Sequence, residues 1–221
     1  MSSISSNIAH IRESLPAGVE LVCVSKYHTA EQIMEAYDAG ERHFAESRAK
    51  DFVGKYELLP KDIHWHFIGH LQTNKVRDVL PRAALIQSVD SERLLQKISD
   101  EAEKIGKIQD VLLEVHVARE QTKTGFSVEA ARTLLQDMRT YNSTGIFAAF
   151  PSVRICGLMC MASNTDDDEQ IACEFAEVNR LARECFDNPI VSMGMSDDYH
   201  IAIANGSNMV RVGSLIFGER S

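Results

Sequence analysis

The stretch Asn208-Met209-Val210-Arg211-Val212-Gly213-Ser214-Leu215-Ile216-Phe217-Gly218 decides the fold. It reads as an apolar strand that halts at a glycine and opens into a helical start. Backbone N–H groups at such a junction lack partners and the helix dipole favours negative charge there, so the Gly213-Ser214 turn is a candidate phosphate site. Arg211 is the second signal, because a guanidinium inside an apolar strand is costly to bury without an acceptor. Taken alone, it reads equally well as an arginine reaching solvent from a strand end.

Upstream, the same strand-then-helix alternation recurs. An amphipathic helix carrying Ile4, Ile8, Ile11 and Leu15 comes first and ends at Pro16 and Gly18. Apolar runs then fall at residues 21–26, 43–45, 63–68, 84–89, 111–117, 155–161 and 190–193 before the opening stretch. Each is followed by a helical pattern. Thr29-x-x-Gln32 and Thr165-x-x-Asp168 read as helix caps, and Asp197 and Asp198 as first-turn residues of a short helix over residues 196–204. Eight alternations with near-continuous apolar strands predict a parallel sheet buried on both faces. Eight strands close a barrel, so the expectation is a (β/α)8 TIM-like barrel with an extra N-terminal helix, one domain over residues 1–221. An open doubly wound sheet is the alternative, but no G-x-G-x-x-G follows a strand.

Composition narrows the function classes. The chain has 221 residues, 44% hydrophobic and 25% charged, with a net charge of −9. That balance argues against a nucleic-acid or acidic-membrane binder, so a phosphate would be held by local donors. The five cysteines contain no C-x-x-C pair and read as buried thiols of a reducing compartment. With no signal peptide or apolar span at the N-terminus, a cytoplasmic protein is expected, and a monomer is the default.

A barrel of this kind presents its chemistry at the C-terminal ends of the strands. Lys26 ends the first strand and shares a face with Val22 and Val24 by period two. A lysine partly desolvated there can form a Schiff base, although a lone strand-end lysine is more often simply solvated. Ser192, Met193 and Gly194 end the seventh strand beside the Gly213-Ser214 turn, and loops after the last two strands commonly hold phosphate. His64, His66 and His70 could begin a metal site, but no second ligand cluster supports one. His64 and His66 read instead as one strand face with Trp65 packed opposite, His66 flanking whatever ring the mouth binds.

Several segments together resemble the pyridoxal phosphate homeostasis proteins, single-domain relatives of the alanine racemase barrel. They are Val24-Ser25-Lys26, the run from His66 to Lys75 (HFIGHLQTNK), Lys123-Thr124-Gly125, Gly157-Leu158-Met159, the run from Ser192 to Asp198 (SMGMSDD), and Met209-Val210-Arg211-Val212-Gly213-Ser214. The resemblance implies a fold-type III pyridoxal phosphate barrel with Lys26 carrying pyridoxal 5′-phosphate as a Schiff base. It implies phosphate held around Ser192, Met193, Gly213 and Ser214, with Arg211 across the mouth from Lys26 and facing the pyridine nitrogen. A guanidinium cannot accept the pyridinium proton, so the ring stays neutral and withdraws electrons weakly. Two departures stand out: Ala45 and Ser47 replace a glycine and an asparagine of the family pattern, and Cys160-Met161-Ala162 follows Met159 where a proline-containing continuation is expected.

The resemblance further implies a cofactor carrier, buffer or supplier, with apo-enzymes that use pyridoxal phosphate as recipients, and no robust catalysis. Racemisation needs a second acid-base group, which alanine racemase draws from a C-terminal domain expected to be missing here. The rival reading is a small amino-acid racemase with Lys26 as one base and Tyr199 or a cysteine as the other. A metal-dependent hydrolase is a third.

Overall fold

A computed structural model describes residues 3–118, 124–139 (backbone only for 137–139) and 149–218. In chain order the elements are α1 (Ile4–Ser14), β1 (Glu20–Val24), α2 (Ala30–Asp38), β2 (His43–Glu46), α3 (Ala49–Leu58) and β3 (His64–Phe67). Next come α4 (Val76–Val79), β4 (Leu85–Val89), α5 (Glu92–Lys104), β5 (Gln109–His116), β6 (Phe126–Ser127) and α6 (Val128–Arg139). The last are β7 (Val153–Cys160), α7 (Asp168–Cys185), β8 (Ile190–Ser192), α8 (Tyr199–Ala204), β9 (Met209–Val212) and α9 (Ser214–Phe217). Every ladder is parallel, and β1 pairs with both β2 and β9 while β4 pairs with β5, so eight strands close on themselves. This is the expected barrel. The two-residue β6, not anticipated from sequence, adds to β5 at Val115 and His116.

Period two sorts each strand. Leu21 and Cys23 of β1 join the large core between strands and helices, whereas Val22 and Val24 face inward with Ala45, Leu85, Leu112, Met159 and Met209. Trp65 packs outward against Phe52, ring centres 5.9 Å apart, leaving His66 to the interior. Each large side chain so buried contributes roughly 1.5–3 kcal/mol. Outside the barrel, α5 buries Leu94, Leu95, Ile98 and Ala102, and Ser91 caps it by accepting the Leu94 N–H. The extra helix α1 docks through its buried Ile4, Ile8 and Ile11, and Asn7 donates to the Ile216 carbonyl at 2.9 Å.

Helix starts agree with expectation in one case and differ in two. Thr29 and Gln32 form the capping box of α2. In α7 the cap is Asp167, whose carboxylate accepts from Glu169 and Gln170 N–H, and Thr165 instead accepts from Asp167 N–H. The carboxylate is the stronger acceptor for orphan donors. Helix α8 begins at Tyr199 because Asp198 turns back to accept the Met195 N–H at 2.6 Å, holding residues 195–198 as a turn. No helix among the described residues is long and apolar enough to cross a membrane.

Candidate cofactor site

At the C-terminal ends of the strands lies a cavity of about 300 Å³, whose walls include Val24, Lys26, Ser47, Met159, Arg211 and Ser214. Such a volume suits a small planar ligand. Mixed walls, methionines and isoleucine beside lysine, arginine and hydroxyls, suit a ring carrying charged substituents.

Lys26 extends from a tightly held strand end. Ser25 N–H donates to the Ala45 carbonyl at 3.0 Å, Ser25 Oγ donates to Glu46 at 2.8 Å, and the Lys55 ammonium donates to the Ser25 carbonyl at 2.8 Å. Lys55 also salt-bridges Glu46, which is fully buried. Burial raises the Glu46 carboxyl above its usual range, and Lys55 opposes that shift. The result is a clamp between β1 and β2 directly beneath Lys26. The next residue, Tyr27, sits at φ 71°, a left-handed conformation uncommon outside glycine and concentrated at functional sites. Arg48 stacks over its ring.

Arg211 is 4% exposed and lines the cavity floor. Its Nη1 donates to the Ser192 carbonyl at 2.8 Å and to Ser192 Oγ at 2.6 Å, and Nη2 donates to the Cys160 carbonyl at 2.9 Å. Three of its N–H bonds are thus spent on the barrel wall. Burial lowers its proton affinity, yet an arginine stays charged throughout the accessible pH range. Glu114 of β5 is buried nearby, and burial, then the charge of Asp90, raises its carboxyl to about 7 while Arg211 pulls the other way.

The Gly213-Ser214 turn has the expected strand-to-helix shape. Gly213 lets β9 close against β1, since a Cβ there would lie 3.2 Å from the Val24 carbonyl oxygen. Ser214 opens α9 with the orphan donors of a helix start, and Ser196 Oγ accepts from Gly213 N–H at 3.3 Å.

Four of the expected residues therefore share the cavity: Lys26, Arg211, Gly213 and Ser214. Three do not. Met193 is fully buried and its N–H donates to the Met209 carbonyl at 3.1 Å, so it has no donor left for a phosphate. Ser192 lies under the cavity, its carbonyl and hydroxyl both taken by Arg211. His66 points into the barrel, in contact with His43 and Gln87, and is not among the cavity residues. Nor are Arg211 and Lys26 across the mouth from each other: β9 and β1 are neighbours, with Val22 opposite Arg211. Closure of the barrel makes the last strand adjacent to the first.

Lys123 lies outside the described residues. Tyr199 packs behind the site with its hydroxyl 3.1 Å from Ser14 Oγ, and no cysteine is among the cavity residues described. His70 pairs with Asp90 at 3.0 Å, and no group of three metal-ligating side chains forms among the described residues. Sequence reasoning missed Tyr27, His28, Ile68, Met161 and Asp197 as cavity residues. The signal for Tyr27 and His28 is their position just past Lys26; Asp197 reads in the sequence as a first-turn helix residue, but α8 starts two residues later, at Tyr199.

The family model described as alanine racemase, N-terminal domain, matches residues 1–221. A pyridoxal phosphate homeostasis protein of Aquifex aeolicus is 36% identical over 207 residues, covering 91% of this chain and 87% of the relative. One from Schizosaccharomyces pombe is 34% identical over 235 residues, covering 100% and 94%. Among solved structures, PipY of Synechococcus elongatus superimposes with TM-score 0.89 without PLP and 0.85 with PLP bound, at 32% and 31% identity, covering 98% of this chain and 100% of that one in both cases. With the lysine, arginine and glycine-serine turn converging on one cavity of this barrel, the chain belongs to the pyridoxal phosphate homeostasis protein family, built on the alanine racemase N-terminal domain.

Proposed function

We propose that this chain binds pyridoxal 5′-phosphate covalently through Lys26 and serves vitamin B6 homeostasis as a carrier, buffer or supplier of the cofactor. The observation that carries the reading is the convergence of Lys26, Arg211 and the Gly213-Ser214 turn on one cavity. The donor set fits the group: an amine for the aldehyde, a serine and backbone donors for the phosphate, and a guanidinium for the ring nitrogen. When bound, the cofactor supplies an aldehyde that condenses with amines and a ring that withdraws electrons. The half-buried Lys26 is held in place by the Ser25–Glu46–Lys55 clamp beneath it. Arg211, an obligate donor, keeps the ring nitrogen unprotonated and so weakens electron withdrawal.

That electronic restraint supports a binding role over turnover. Recipients would be apo-enzymes that need the cofactor, reached when an incoming amine displaces Lys26. The test pairs a visible-spectrum titration with pyridoxal phosphate and an assay of α-deuterium loss from a panel of amino acids. A saturable visible band with exchange no faster than free cofactor is expected; exchange at enzymatic rates would replace the carrier by a small racemase.

A further inference from the structure

The barrel interior carries a run of polar side chains that the cavity does not use. From Arg211, Ser192 Oγ lies at 2.6 Å, Gln87 Oε1 at 2.7 Å from Ser192 Oγ, Gln87 Nε2 at 2.7 Å from His66 Nδ1, and His66 Nε2 at 3.0 Å from His43 Nδ1. Beyond it, Glu20 Oε2 lies 3.9 Å from His43 Nε2 at the start of β1. The run crosses from the mouth to the opposite end of the barrel through strands β9, β8, β4, β3, β2 and β1. Ser192, Gln87 and His66 are at most 2% exposed.

Its two ends fix its direction. Arg211 can only donate, so the Ser192 hydroxyl accepts from it and must pass its own proton on to Gln87 Oε1. The Gln87 amide then presents Nε2 to the other side, where its two N–H groups meet His66 Nδ1 and Met209 Sδ at 3.4 Å. Turning the amide round would set its N–H against a serine oxygen already accepting from Arg211 and strand the hydroxyl proton in a dry interior. His66 is therefore an acceptor at Nδ1 and carries its proton at Nε2, which donates to His43 Nδ1. His43 then carries its own proton at Nε2, on the side of the Glu20 carboxylate 3.9 Å away. A neutral His66 agrees with its burial, which with the neighbouring histidines lowers its pKa to about 3.

We propose that Gln87, His66 and His43 are positioning residues that hold Arg211 through Ser192 in a single donor direction, fixing which guanidinium N–H groups face the cofactor ring. The proposal rests on the reading that Arg211 meets the ring nitrogen. Ser192, Gln87 and His66 are buried and each both donates and accepts, which permits one arrangement, whereas an arginine held only by carbonyls could pivot. The device is paid for in the interior by polar groups where apolar ones would pack.

The test uses the full-length protein, with two substitutions of opposite character. Gln87→Leu removes the contacts to both neighbours. Gln87→Glu keeps an acceptor for Ser192 and sets a carboxyl against His66 Nδ1, so the upper half of the run persists while the lower contact becomes carboxyl to imidazole. In the cofactor-free wild type, ¹⁵N NMR should find His66 neutral with the proton on Nε2 at pH 7. Gln87→Glu should shift the His66 Nδ1 resonance and leave the Arg211 Nε–H signal in place, whereas Gln87→Leu should shift or broaden that signal. With pyridoxal phosphate added, Gln87→Leu should displace the visible band and weaken binding about tenfold, and Gln87→Glu should restore the wild-type band. A cationic or Nδ1-protonated His66 in the wild type, or an Arg211 signal indifferent to Gln87→Leu, overturns the proposal. So does loss of thermal stability in Gln87→Leu with band and affinity unchanged, which is what a purely structural role gives. If the wild type takes up no pyridoxal phosphate, the cofactor reading fails by itself, and the NMR results still decide the positioning role.

Discussion

At the mouth of the barrel Lys26, Arg211 and Ser214 come from separate parts of the chain and turn toward an open cavity. At the other end Glu20, His43 and Arg12, and separately Asp110 and Arg154, turn toward one another. Residue types are alike at the two ends, and what differs is whether the charges are left a space. The mouth is bounded by βα connections carrying Tyr27, Ser47 and Asp197, and Lys26 and Arg211 line its cavity. The floor is made of strand starts, and its charges neutralise locally. Barrel enzymes divide labour in the same way, with chemistry at the mouth and stability at the floor. A charged residue in a strand is thus informative about function only once its end of the strand is known.

Substitutions at the two ends should separate these roles. The largest effect belongs to Lys26→Ala, which removes the attachment amine and should weaken retention of pyridoxal phosphate on the order of a hundredfold or more in equilibrium dialysis. Retention equal to wild type would show that the amine is not the anchor. Next is Lys55→Met beneath the mouth, which leaves the fully buried Glu46 without its counter-charge. Urea unfolding should register a loss of about 3–5 kcal/mol, and a loss below about 1 kcal/mol would mean that Glu46 is already protonated.

Glu114→Gln comes third and has a sign that depends on pH. The Glu114 carboxyl is raised from 4.5 to about 7 in the folded chain, so between those values the folded state holds a proton that the unfolded state has released. Stability from this group is full below about pH 4.5 and falls as pH rises through 7, by about 3 kcal/mol at most. The glutamine should flatten that decline in thermal melts from pH 4.5 to 8, and an unchanged slope would assign the decline elsewhere. The smallest effect belongs to the floor: Arg154→Ala breaks a paired contact to Asp110, both bonds 2.7 Å, in which the arginine side chain is 52% exposed. Less than about 1 kcal/mol should be lost, with cofactor uptake unchanged. A change in uptake would erase the distinction between the ends.

Much of the mouth was legible in the sequence because barrel geometry links strand ends to function, and period two placed Lys26 on the face of Val22 and Val24. The Arg211 argument, that a charge inside an apolar strand needs a partner, applied equally to Gln87 in Leu85-Ile86-Gln87-Ser88-Val89 and to Glu114 in Val111-Leu112-Leu113-Glu114-Val115. Treating those runs as uniformly buried hid both. Met193 and His66 fell differently for another reason: whether an N–H or an imidazole is already taken depends on the register between strands, β8 against β9 for residues 193 and 209 and β3 against β4 for residues 66 and 87. Contacts of that kind have no local sequence signal.

The most direct test of the central claim is borohydride reduction of the protein loaded with pyridoxal phosphate, followed by peptide mapping. The account predicts one pyridoxyl adduct per chain, on Lys26. An adduct on another lysine, or loaded cofactor that leaves no adduct after reduction, would contradict it.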